Sequence, residues 1–86
     1  MRIDFHKNFD KRAVKLTQRQ REQFKLRLIE FSGDHYKTKL NNHALKGKFK
    51  GYRSINVTGD IRAIFIPHSE SHVEFVDIGS HSQLYG

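Results

Sequence analysis

The sequence predicts an α+β fold: an N-terminal strand, two antiparallel helices, then a three-stranded antiparallel meander, with the helices packed on one face of the sheet. Three observations predict it. Apolar residues recur at helical spacing only in the first part of the chain. From residue 49 the chain becomes rich in β-branched and aromatic residues. The polar breaks between these later segments are too short for anything but antiparallel neighbours.

Each element has a local reason. In RIDFH (2–6), Ile3 and Phe5 alternate with polar neighbours, as in a half-buried strand. Phe9, Ala13 and Leu16 then fall at i, i+4 and i+7, a short amphipathic helix with Asn8 as its N-cap. Thr17 and Gln20 have the spacing of a capping box, and Phe24, Leu28 and Phe31 line one face of a second helix that Gly33 stops. Arg19, Arg21, Lys25 and Arg27 cover much of its remaining surface and read as a solvated face. Residues 33–47 show no sustained period and read as a loop. FKGYRSINV (49–57), DIRAIFI (60–66) and HVEFVDI (72–78) are the three strands, separated by TG at 58–59 and PHSES at 67–71.

The pleat also selects a register. If Thr58, Gly59 and Asp60 form a three-residue loop, Val57 faces Ile61 and Ile55 faces Ala63, with Phe65 continuing that apolar face. Ser54 and Asn56 then lie opposite Arg62 and Ile64 on the other face, and Asp60 sits at its rim. A two-residue turn would pair Val57 with Asp60 and mix the faces.

The 86 residues leave room for one domain, spanning 1–86. A chain this short buries only about 60% of the surface its unfolded form exposes. No run approaches the roughly 20 apolar residues of a membrane span. Charges at Asp4 and Asp10 break any likeness to a signal peptide. The absence of cysteine excludes disulfides and thiolate metal sites and fits the cytoplasm. Sixteen Lys and Arg against nine Asp and Glu leave a net charge of +7. Such an excess favours polyanions through counterion release, with nucleic acid first and an acidic protein segment next. A merely soluble basic surface is the plain alternative.

Six histidines in so short a chain is a high count. His6 ends the first strand, and His35 lies in a patternless loop. His68 and His72 flank the turn at Pro67 without an acidic or thiolate ligand set, so no metal site is expected there. His43 and His81 lie in polar segments beside the sheet, near Gly47 and Gly79. With Asp60 and Arg62 they supply two groups that titrate near neutral pH, a carboxylate and a guanidinium. RNA cleavage by its own 2′-hydroxyl needs such a set: a base for the 2′ proton, an acid for the leaving 5′ oxygen, and cations for the phosphate. Scattered surface histidines give the same pattern. The closing GSHSQLYG (79–86) is either a frayed terminus or the working end of the molecule.

HALKGKFKGYRSINVTGDIRAIF (43–65) and VDIGSHSQLYG (76–86) together resemble the RelE/ParE superfamily of bacterial toxins, and the YafQ branch most closely. The shared features are His-x-Leu-x-Gly, Gly-Tyr-Arg, a Gly-Asp turn opening the next strand, and a closing Gly-x-His-x-x-Leu-Tyr. The detailed resemblance covers about residues 40–86, and the preceding strand and helix pair match the family's order of elements. It implies a RelE-like fold and the toxin of a type II toxin–antitoxin system. Such a toxin is a cytoplasmic, ribosome-dependent messenger RNA endoribonuclease that inhibits translation. It needs no metal or cofactor, has no membrane partner, and is held inactive by an acidic or DNA-binding antitoxin.

Residue by residue, the resemblance places His43, Asp60, His81 and Tyr85 in the catalytic set. His43 and His81, with Asp60, would share the acid–base work, and Tyr85 would stack on a base or touch phosphate. Arg62 matches a basic position of RelE-like members that faces the scissile phosphate. Lys46, Lys48 and Lys50 would line the RNA path, with Ser54 and Asn56 as further RNA contacts and Leu84 anchoring the tail. Ser54 and Asn56 stand where the YafQ branch has an acidic residue and a histidine. Ile61 stands where its aspartate is followed by an aromatic. Arg53 matches a family arginine, but its parity turns it toward the helices, so it reads as structural. ParE-like toxins that inhibit gyrase share the fold without needing the His43, Asp60, His81 set. A basic RNA-binding domain without activity is the other alternative.

Overall fold

β1 (Arg2–Phe5) leads through α1 (Lys7–Ala13) into α2 (Gln18–Gly33). β2 (His43–Ala44), β3 (Arg53–Asn56), β4 (Ile61–Ser69) and β5 (His72–Ser80) follow, and α3 (His81–Tyr85) comes last. The structure, a computed structural model, describes residues 1–85. Gly86, the final glycine of the closing motif, lies outside the described residues.

The strands make one sheet in the order β1-β5-β4-β3-β2. The expected meander is its centre. β1 joins it by parallel pairing with β5, Ile3 opposite Val73 and Phe5 opposite Phe75. The intervening helices supply the crossover that a parallel pair requires. The β3–β4 register is the one that a three-residue loop dictates, with Ile55 opposite Ala63 and Asn56 opposite Arg62. The Val57 N–H closes the turn on the Ile61 carbonyl at 2.9 Å.

The helix-facing side of the sheet holds the core. Phe75 lies at its centre, with its ring 5.3–6.0 Å from those of Phe5, Phe9, Phe24, Phe31 and Phe65. Each fully buried side chain of this size contributes about 1.5–3 kcal/mol. Thr17 and Gln20 form the expected capping box of α2.

Several sequence expectations need correction. His6, not Asn8, caps α1: its Nδ1 accepts the Asn8 N–H at 3.0 Å, and the Asn8 side chain instead donates to the Val76 carbonyl. The stretch 33–47 is not a plain loop. It contains a 3₁₀ turn, Thr38–Leu40, that buries Leu40 completely, and then β2. A single buried leucine carries no period, so no pattern announced it. The expected strand 49–57 begins only at Arg53, because a 3₁₀ turn at Gly47–Phe49 precedes it. Gly47 opens that turn and Gly51 follows it, at φ of +65° and +94°, conformations that side-chain-bearing residues avoid. The expected turn at 67–71 contracts to Glu70 and Ser71, and Pro67 lies within β4 beside a bulge, where its missing N–H is tolerated. The expected strand 72–78 is longer than its sequence pattern. β5 runs on to Ser80, and the tail becomes α3.

A second irregularity has larger consequences. Ile64 pairs with Asp77 but Phe65 pairs with Phe75, so Val76 is an extra residue in β5. This bulge inverts the alternation beyond it. Ile78 therefore faces the core opposite Ala63, while Asp77 and Gly79 turn to the opposite side, along an edge of β5 that Arg12 of α1 reaches.

Candidate functional site

The face of the sheet away from α2, free of helices except where the short α3 borders it, is built in rows. One row runs His43, Ser54, Ile64, Asp77 across β2 to β5. The next runs Asn56, Arg62, Gly79. Directly paired residues project to the same side, so His43, Ser54, Asn56 and Arg62 share this face. His81 opens α3 two residues beyond Gly79. β2 and β5 are three strand spacings apart, roughly 14 Å. His43 and the tail therefore stand at opposite margins of the face.

His43 is exposed, and its Nδ1 lies 2.8 Å from the Asn41 carbonyl. A carbonyl can only accept, so Nδ1 carries a proton, and in the neutral ring Nε2 is the acceptor, without a partner among the described residues. Asn41 has φ +46°, a left-handed conformation that asparagine tolerates. Arg62 donates through Nη1 to the carbonyls of Thr58, Gly59 and Ile61, which tethers it to the β3–β4 turn. Asp60 forms no ion pair with Arg62 among the described residues. It lines a groove at the sheet's end with Arg12, Lys15, Ser80 and Gln83, and so sits beside the tail rather than near His43.

Ser54 is fully buried, and its Oγ has no hydrogen-bond partner among the described residues. The same holds for the buried Oδ1 of Asn56. Such orphans in a native fold call for an explanation. Lys46, Lys48 and Lys50 are exposed around the 3₁₀ turn Gly47–Phe49. Leu84 is buried, as is Ile64, and both lie outside the main core. An aromatic run links tail and turn: His81 to Tyr85 at 4.8 Å, Tyr85 to Phe49 at 5.7 Å, and Phe49 to Tyr52 at 6.3 Å between ring centres.

The remaining histidines have structural surroundings. His35 stacks on Phe31 at 4.6 Å, and His6 is a cap. His68 and His72 lie 4.8 Å apart, but Nε2 of each is turned to a carboxylate, Glu74 and Asp4 respectively. No group of three or more metal-ligating side chains occurs among the described residues. Arg53 is structural as expected, though its partners are an amide and a ring rather than a carboxylate. Its Nε donates to Asn42 Oδ1 at 2.7 Å, and its guanidinium lies 5.5 Å from the Tyr36 ring centre.

The family of bacterial toxins of type II toxin–antitoxin systems named YafQ matches residues 1–86. The chain belongs to the YafQ family. E. coli YafQ in the DinJ–YafQ complex is similar at 26% identity and a TM-score of 0.75, with both chains covered completely. RelE in the RelB–RelE antitoxin–toxin complex of Methanococcus jannaschii shares the fold at 20% identity and a TM-score of 0.75, covering 95% of this chain and 94% of that one. A YoeB/ParE toxin from Agrobacterium tumefaciens shares it at 18% identity and a TM-score of 0.75, over 94% and 99% of the two chains. No curated protein sequence matches. No helix of this YafQ-family chain is long and apolar enough to cross a membrane.

Sequence reasoning missed Phe49, which it placed in a strand. The signal was present in KGKFKGY, where an aromatic is interleaved with lysines and flanked by two glycines.

Proposed function

We propose that this toxin is an endoribonuclease that cuts messenger RNA on the ribosome by attack of the RNA's own 2′-hydroxyl. The observation that carries the reading is the face away from α2 itself. His43 with an accepting Nε2, a tethered Arg62, exposed lysines and the His81–Tyr85 tail border one surface that the hydrophobic core does not use. On this reading His43 Nε2 takes the 2′ proton, Arg62 meets the phosphate, and His81 protonates the leaving 5′ oxygen with Asp60 beside it. Tyr85, backed by Phe49, stacks on a base, while Ser54, which is fully buried, lies beneath the surface rather than touching RNA, and the Oδ1 of Asn56 is buried with it. Lys46, Lys48 and Lys50 hold the backbone as point charges.

The test is induced expression followed by primer extension of cellular messages. New 5′ ends inside coding regions, dependent on translation, are expected. Intact messages accompanied by DNA damage would point instead to gyrase as the target. The partner on this reading is a cognate antitoxin with an acidic segment that covers part of the +7 surface. Its association rate should fall as salt rises, and an on-rate indifferent to salt would remove the electrostatic account.

A further inference from the structure

α3 has five residues and starts directly where β5 stops. A helix that short does not sustain itself in water, so something outside it must hold it. Three contacts do. First, the Ser80 N–H donates to Gln83 Oε1 at 2.8 Å, and the Gln83 N–H donates to Ser80 Oγ at 3.2 Å. This is a reciprocal capping box of the same kind as Thr17 and Gln20. Second, Arg12 Nη2 donates to the Gln83 carbonyl at 3.4 Å, in a last turn whose carbonyls have no intrahelical donor. Third, Arg12 Nε pairs with Asp77 Oδ1 at 3.2 Å, with both side chains largely shielded from water.

Gly79 makes the arrangement possible. A Cβ there would lie 2.9 Å from Gln83 Oε1 and 3.4 Å from Arg12 Nη2, so the capping side chain occupies the space a larger residue would fill. The bulge at Val76 is what turns Asp77 and Gly79 to the side Arg12 reaches. The geometry points to Arg12 and Gln83 as positioning residues: with Asp77 and Gly79 they clamp α3 to β5, and so set where His81 and Tyr85 stand. The clamp rests on contacts alone. Its effect on cleavage rests on the endoribonuclease reading, in which a displacement of about 1 Å in a reacting group costs roughly 10²-fold in rate.

The experiment compares Gln83→Ala and Arg12→Ala with two conservative variants: Gln83→Glu, which keeps an acceptor for the Ser80 N–H, and Arg12→Lys, which keeps a cationic donor for Asp77 and the Gln83 carbonyl. Hydrogen exchange at the Ser80 and Gln83 amides reads the clamp. Cleavage of ribosome-bound messenger RNA, resolved into kcat and KM, reads its consequence, and a thermal melt accompanies each variant. Both alanine variants should exchange faster and lose about 10–10²-fold in kcat, with KM and the melting midpoint near parental values. Both conservative variants should recover exchange protection and rate. Parental exchange in the alanine variants would overturn the clamp. So would a loss of rate that follows the melting midpoint, or one that the conservative variants fail to recover. Faster exchange at parental kcat would overturn the positioning role. A parent that leaves RNA intact would sink the endoribonuclease reading alone, and amide exchange would still judge the clamp.

Discussion

The two faces of the sheet use aromatic residues in opposite ways. Five of the other six phenylalanines gather around Phe75 on the helix side, where all but the exposed Phe5 are buried. The seventh, Phe49, stands on the other side between Tyr52 and Tyr85 and is only half-buried. On the helix side the buried polar atom is Glu30 Oε2 of α2, and Lys39 lies 3.0 Å from it. The other side buries Ser54 Oγ and Asn56 Oδ1 without hydrogen-bond partners among the described residues. A protein whose stability is a small difference between large terms does not keep unpaired polar atoms for stability's sake. The comparison teaches that one face holds the fold together, while the other carries the residues of the proposed site.

Substitutions should separate the two faces. The largest effect on the fold is expected from Phe75→Ala, at about 3–5 kcal/mol of stability, read by chemical denaturation. Any loss of toxicity should then follow from unfolding alone. A melt little different from the parent's would mean that the core does not converge on Phe75. The mirror image is His81→Ala. It should reduce cleavage by about 10²–10⁴-fold, or ~3–5 kcal/mol of barrier, while stability changes by no more than about 0.5 kcal/mol. His35→Ala and His68→Ala should stay toxic. If His81→Ala were as toxic as the parent at equal expression, the tail would revert to a structural role.

Ser54→Ala sharpens the contrast on a smaller scale. The hydroxyl it removes is buried and has no partner among the described residues, so stability should hold or rise by up to about 1 kcal/mol. A destabilised Ser54→Ala variant would show that the oxygen has a partner after all. The smallest effect is a pH dependence of stability. The side-chain hydrogen bond from Lys39, then that from Arg27, holds the Glu30 carboxyl below its ordinary range. His72, then Arg2, does the same for Asp4. Both carboxyls are depressed in the folded state. Their stabilising contribution is therefore complete above the ordinary carboxylate range and is lost as pH falls through the folded values. The melting midpoint should decline gently below about pH 5, and Glu30→Gln should make that decline shallower. An unchanged slope would assign the acid sensitivity elsewhere.

Much of the candidate face was legible beforehand. The loop Thr58–Asp60 and simple alternation place Ser54, Asn56 and Arg62 together, because a hairpin's register follows from its own residues. His43 required the family resemblance, since two residues of strand inside a polar stretch leave no periodic trace. Arg12 was invisible as anything but a helix cation, because its partners Asp77 and Gln83 are more than sixty positions away in the chain.

What the residues determined by themselves is therefore local: element types, the Thr17 capping box, the β3–β4 register and the apolar stripe of α2. Tertiary structure decided the parallel pairing of β1 with β5, the burial of Leu40 and the bulge at Val76. Alternation is a property of one strand and can be read along it. A bulge exists only relative to the neighbouring strand, when two residues oppose one. In HVEFVDIGS the residues Val73, Phe75, Asp77 and Gly79 share one parity, and only pairing with β4 sends the first two into the core and the last two to the opposite face.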